Sequence, residues 1–160
     1  MTCRKKSIEI TNGYVSAFNM RDIGQIISLF DPAVVSSQQK KEGVSIGPSA
    51  IQRRIKAIWK MAERRSAEVA AVCGLIDFND RRTLPCVTLI IDKVPFSLIL
   101  CEANKDRKAH LHTEITNLDV VANVRFCCSH MQMKNAVDKS CPLTCYERRK
   151  FNLLGGENER

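Results

Sequence analysis

The sequence predicts an α+β domain, with three helices in its N-terminal part and a run of antiparallel strands behind them. Apolar residues recur at helical spacing as far as Ala62, the period changes to strand-like alternation from Ser66, and short turn-like clusters divide the remainder of the chain. With 160 residues, 44% of them hydrophobic and 26% charged, the chain has material for one such domain.

The first helix is read from Ile10, Tyr14, Ala17 and Phe18, which share one face. After the corner Asn19-Met20-Arg21, a second set starts at Ile23, Ile26, Ile27 and Phe30. Asp22 stands where an N-cap belongs, because its carboxylate can accept N–H bonds from a helix start that lacks partners. Asp31-Pro32 stops this helix, since the residue before a proline is pushed out of the helical region. Ala33 to Ser37 reads as a short strand and SSQQKKEGVS as a polar loop.

Gly47-Pro48-Ser49 opens the third helix, with Pro48 at the first helical position, where its missing N–H costs nothing. Ile51, Ile55, Ile58, Trp59 and Ala62 form its buried stripe; Arg53, Lys56, Lys60 and Arg64 form the opposite face. The strands expected after it are Glu68 to Phe78, Thr83 to Lys93, Val94 to Ala103, Lys108 to Leu118 and Asn123 to Cys128. Turn-like groups at Asn79-Asp80-Arg81, Lys93-Val94-Pro95 and Asn104-Lys105-Asp106 separate them. Residues 129–160 read as a tail with at most a helical turn or two and a disordered end, leaving 1–128 as the domain.

The net charge of +8 is that of a well-solvated basic surface. Only 6% of residues are aromatic and none alternates with Lys or Arg as in a base-stacking platform, so nucleic acid is not an expected partner. The basic face of the third helix (Arg53, Lys56, Lys60, Arg64) is either a solvated face or a docking stripe for an acidic protein partner. No apolar run approaches the roughly 18 to 20 residues that span a bilayer. The start MTCRKKSIEITNGY lacks the apolar region of a secretory signal, so a cytoplasmic or nuclear location is expected. The eight cysteines are then mostly reduced thiols.

The succession Tyr14, Phe18-Asn19, Asp22, Ile26-Ile27 and Leu29-Phe30 resembles the opening of the nuclear transport factor 2-like superfamily, which includes SnoaL-like and ketosteroid isomerase-like proteins. The resemblance spans about residues 7 to 128 and implies a cone, in which a strongly curved antiparallel sheet wraps around the long third helix and leaves a largely apolar pocket. It also implies a homodimer formed through the open face of the sheet. By the same resemblance, Tyr14 matches a tyrosine that donates a hydrogen bond to a substrate oxyanion, and Glu114 falls near a second pocket acid. The position of that family's general-base carboxylate falls at about Ser37, with Ser36 and Gln38 beside it. None of these accepts a proton near neutral pH.

On a strand, His110, His112, Glu114 and Thr116 project together. The cluster is an acid/base set in a pocket, three ligands for zinc, or an outward face at a dimer seam or in solvent; the more apolar Leu111, Thr113 and Ile115 would ordinarily face the core. Cys127, Cys128, His130, Cys141 and Cys145 match no structural zinc spacing closely, and Cys73, Cys86 and Cys101 read as small core residues. No metal or cofactor is expected. The leading expectation is a pocket protein, non-catalytic or weakly catalytic, that binds a small apolar ligand through Tyr14, Phe18, Trp59 and Glu114, or a protein partner. The alternative is an isomerase, dehydratase or cyclase using Tyr14 as hydrogen-bond donor and His112 or Glu114 as acid/base.

Overall fold

The structure, a computed structural model, describes residues 3–39, 41–78, 83–116, 121–126, 150–152 and 157–159. Helix α1 (Cys3–Asn19) turns at Met20 and Arg21 into α2 (Ile23–Ser28). Arg21 takes a φ of 58° at this corner. Asp22 caps α2 as its sequence position predicts, its Oδ1 accepting the N–H of Gln25 at 3.0 Å.

Strand β1 (Phe30–Gln38) starts before the proline that was expected to end the helix. Phe30 pairs with Ala109 and its ring packs on Tyr14 and His112, so sheet pairing claims it from a helix of only six residues. The polar stretch expected as a loop supplies the end of β1 and the two-residue β2 (Ser45–Ile46). Helix α3 (Ser49–Arg64) comes next, with Pro48 as the residue just before it.

Then come β3 (Val69–Phe78), β4 (Thr83–Ile91), β5 (Val94–Ala103), β6 (Ala109–Ile115) and β7 (Val121–Phe126). The β4–β5 hairpin turns at Asp92 and Lys93, with φ of 47° and 70°, the pattern of a two-residue turn matched to the twist of its strands. Pro95 therefore lies inside β5, opposite Ile90 beside a register shift. In the tail, β8 (Lys150–Asn152) and β9 (Glu157–Glu159) pair antiparallel where at most helical turns were expected; the rest of that expectation falls outside the described residues.

The main sheet runs β2-β1-β6-β5-β4-β3-β7 and its two ends are not joined. Register shifts interrupt the β1–β6, β3–β7, β4–β5 and β5–β6 pairings, and each such irregularity bends the strand that carries it, which curves the sheet. The sheet is not wholly antiparallel. β1 runs parallel to β6, because α3 carries the chain across before the β3–β6 meander returns beside β1.

Helix α1, not α3, lies closest to the sheet, over β3, β4 and β5. Ile10, Tyr14, Val15, Ala17 and Phe18 of α1 share one core with Ile51, Ile55, Ile58 and Ala62 of α3. Helix α3 faces this core through three isoleucines and the long side chain of Arg54, and so stands further off. The other side of the sheet carries a second apolar cluster that includes Val72, Ile76, Cys86 and Leu98. Cys73, Cys86 and Cys101 are buried in the core; burial pushes Cys86 up to about 12 and Cys101 higher, so both stay protonated. Among the described residues no helix is long and apolar enough to cross a membrane.

Asn19 ties the end of α1 to the sheet. Its Nδ2 donates to the Ala71 carbonyl at 2.9 Å and its Oδ1 accepts the Ala71 N–H at 2.8 Å, the two bonds a neighbouring strand would make. Among the described residues, the adjacent strand β7 pairs with β3 from Gly74 onward. Replacing Asn19 with Ala leaves an amide and a carbonyl without these partners. Urea unfolding of Asn19→Ala is expected to show a loss of roughly 2 kcal/mol; a loss within experimental error would show that water replaces both bonds.

Candidate functional site

The interior is polar where β6 passes α1 and α3. Strand β6 turns His112 and Glu114 inward, 4% and 2% exposed, while Leu111 and Thr113 are only half-buried. The usual assignment of the more apolar side to the core is reversed here, because each inward polar group finds a partner.

The Glu114 carboxylate accepts bonds from Arg54 Nε at 2.9 Å, Arg54 Nη2 at 2.8 Å and Ser97 Oγ at 2.7 Å. Burial by itself would raise its pKa. The hydrogen bonds from Arg54 and Ser97, with the charge of Arg54, outweigh that and hold it below the usual value, so Glu114 is ionised at neutral pH. It is the anchor of a fork-to-fork ion pair.

Tyr14, wholly buried on the core face of α1, places its hydroxyl 3.1 Å from His112 Nε2, with the two rings stacked at 5.8 Å. Burial pushes His112 down to about 4, against Glu114 and a hydrogen bond to its own backbone carbonyl, both of which raise it. The imidazole is therefore neutral, and its Nε2 and the Tyr14 hydroxyl share one hydrogen bond whose donor is set by the imidazole tautomer. Tyr14 is raised well above 10, first by burial and then by Cys101 and Glu114, with Arg54 opposing, and keeps its proton.

In front of this network lies a cavity of about 420 Å³. Ser36, Ser37 and Gln38 at the end of β1, the 41–45 loop, Ala50, Ile51, Arg53, Arg54 and Ala57 of α3, and His112 form its wall. The parallel register sets Ser36 beside His112 and Gln38 beside Glu114. The segment that falls at the general-base position of the resemblance is thus on the wall, and it carries two hydroxyls and an amide.

The wall differs from the largely apolar one expected, and Tyr14, Phe18, Trp59 and Glu114 are not part of it. Phe18 is wholly buried and meets Trp59 at 5.4 Å, and the Arg21 guanidinium covers both rings at 5.6 and 5.4 Å. The two aromatics are used in packing the corner between α1 and α2. Glu114 stands behind Arg54, and Tyr14 behind His112. Of the residues nominated from sequence for catalysis or ligand binding, His112 alone reaches the cavity; His110 is half-buried and its Nδ1 has no partner among the described residues. Arg53, Lys56, Lys60 and Arg64 are all exposed along α3.

Arg54 and Ser97 are the residues that sequence reading missed. Arg54 is three positions after Ile51 and four before Ile58, a cation on the edge of the buried stripe, and that was the available signal. Ser97 offered only a lone hydroxyl in an apolar run. Among the described residues no group of three His, Cys, Asp or Glu side chains is arranged to hold a metal ion. The cysteine-and-histidine set at Cys127, Cys128, His130, Cys141 and Cys145 lies outside the described residues.

No family model and no curated protein matches the sequence. Solved structures do match its fold. One is described as a candidate ketosteroid isomerase from Kribbella flavida: TM-score 0.52, 11% identity, covering 73% of this chain and 82% of that one. A SnoaL-like protein of unknown function from Burkholderia thailandensis gives a TM-score of 0.51 at 12% identity, over 71% and 97% of the two chains. Bal32a, from a soil-derived mobile gene cassette, gives 0.50 at 17% identity, over 71% and 90%. At these identities the likeness is one of fold.

His112 also makes stability depend on pH. Its folded pKa of about 4 lies below the unfolded value, so between about pH 6.5 and 4 the unfolded chain binds the extra proton and stability falls as pH falls. Glu114, also depressed, adds to the loss as pH falls towards its own folded value. Denaturant unfolding across this window is expected to show a loss of about 3 kcal/mol that His112→Asn removes; an equal slope in the variant would place the titration elsewhere.

Proposed function

We propose that this chain, which has the nuclear transport factor 2-like fold, is a small-molecule binding protein that holds its ligand in the cavity between β1, the 41–45 loop and α3. One observation carries this. The carboxylate and the phenol stand behind the cavity wall with their polar atoms already engaged: Glu114 is held by Arg54 and Ser97, and the Tyr14 hydroxyl by His112, the one proton-transfer group on the wall. A carboxylate that accepts three hydrogen bonds is a poor base, and a tyrosine with a raised pKa is a poor acid. What faces the ligand is a surface of hydroxyls, amide and guanidinium suited to binding.

Ala57 supplies the control, since it lines the cavity from the exposed side of α3 and tolerates a large residue without disturbing the core. Ligand-detected NMR with a panel of small organic compounds is expected to find binders of the native protein that Ala57→Trp no longer takes. If no compound binds, or if the binders are indifferent to Ala57→Trp, the cavity is not the site.

A second reading is favoured by the position of His112, the one proton-transfer group on both the wall and the internal network. Its neutral imidazole, with Nε2 paired to Tyr14, could take a proton from an enolisable carbonyl compound once the ligand displaces that bond. Exchange of deuterium from solvent into such compounds reports this step without knowledge of the product. Exchange catalysed by the native chain, absent in His112→Asn, and falling as pH drops through about 4, would establish the enzyme; no exchange above the uncatalysed rate would leave binding alone.

A further inference from the structure

We propose that the cavity selects organic monoanions, a carboxylate on a small apolar body, which it fixes at Arg54 and Ser36. This rests on the cavity being the binding site and names the class of molecule it takes.

The charge balance at the wall comes first. Arg53, Arg54 and Lys41 line the cavity, and the carboxylates beside them are Glu42 on the wall and Glu114 behind Arg54. Three cations against two anions leave one positive charge, since His112 is neutral at pH 7. One charge matches a carboxylate better than the near-dianion of a phosphate monoester.

The donors are arranged for the same task. A guanidinium has five N–H donors, and Arg54 gives Glu114 one from Nε and one from Nη2, so Nη1 and the other Nη2 proton have no partner among the described residues. The Glu114 bonds fix the plane in which those donors lie, which lowers the ordering cost of gripping a second carboxylate. Ser36 adds an independent sign. It is only 9% exposed, it lines the cavity, and its hydroxyl has no partner among the described residues. A hydroxyl on the cavity wall with no partner from the protein is available to donate to a ligand there.

The start of α3 points the same way. No side chain caps it, Pro48 has no N–H, and Ala50 and Ile51 of its first turn line the cavity, which brings the positive end of the helix to the wall. The apolar part of the wall is Ala50, Ile51 and Ala57, with Val44 opposite on the loop. A carboxylate at the Arg54 end therefore places an aliphatic or aromatic body against those four residues.

The test compares phenylacetate with phenylacetamide, the same shape without the charge, and with inorganic phosphate, each titrated into the native protein at low ionic strength by ligand-detected NMR. Phenylacetate is expected to bind at least about tenfold more tightly than the amide, a difference near 1.4 kcal/mol. Ser36→Ala and Arg54→Gln should each weaken phenylacetate and leave the amide unchanged, with near-ultraviolet circular dichroism confirming that each variant is folded. Because Arg54→Gln removes the partner of Glu114, Ser36→Ala decides the matter if that variant unfolds. Equal binding of carboxylate and amide, tighter binding of phosphate, or phenylacetate binding indifferent to Ser36→Ala would each overturn monoanion selection. So would failure of phenylacetate to bind while uncharged compounds of the broader panel do, and in that case the cavity remains the site. If nothing in that panel binds, the pocket itself has failed.

Discussion

A carboxylate that has left water must be given donors, and the centre of this molecule is arranged around meeting that requirement for Glu114. Leaving a buried charge unpaired costs several kcal/mol, enough to consume much of a small domain's net stability. Three donors from two elements meet the demand, with Arg54 reaching down from α3 and Ser97 across from β5. The effect reaches beyond the carboxylate. Helix α3 is held at the distance an arginine spans, and the room left between its first turns and the end of β1 is the cavity.

The second polar pair depends on the first. Tyr14 and His112 pack against Phe30, so the imidazole stays neutral and its Nε2 is hydrogen-bonded to the phenol. Ionised carboxylate, neutral imidazole and protonated phenol make a stable set, since each group sits in the charge state its surroundings favour. One structure of similar fold is described as a candidate ketosteroid isomerase, yet a shared fold places elements and leaves the side chains to decide the chemistry.

How much of this was legible depends on the distance over which each signal acts. The Asp22 cap, the period of α1 and the change to strand alternation are local, and the chain shows them plainly. The common face of His112 and Glu114 was legible too, because a strand's period is two; which way that face pointed was not. That direction is set by partners 98 positions away at Tyr14 and 60 away at Arg54. The parallel β1–β6 pairing escaped for a similar reason, because consecutive antiparallel turns can be read from short spacers and a return beside β1 cannot. Phe18 and Trp59 were legible as core-face residues and were also expected to touch a ligand; Arg21, in a left-handed conformation at the corner, covers both rings.

The join between α1 and β3 has a consequence of a different kind. Among the described residues β7 pairs with β3 from Gly74 onward, and the backbone groups of an apolar strand ahead of such a pairing are the sort of edge onto which a second copy can add its own strand. Asn19 and Arg21 occupy that edge with side chains, the one bonded to Ala71 and the other to the Val69 carbonyl. The helix corner is therefore also a guard. The backbone groups it takes are withheld from a second copy's strand, so the residues that turn the chain also shield its sheet.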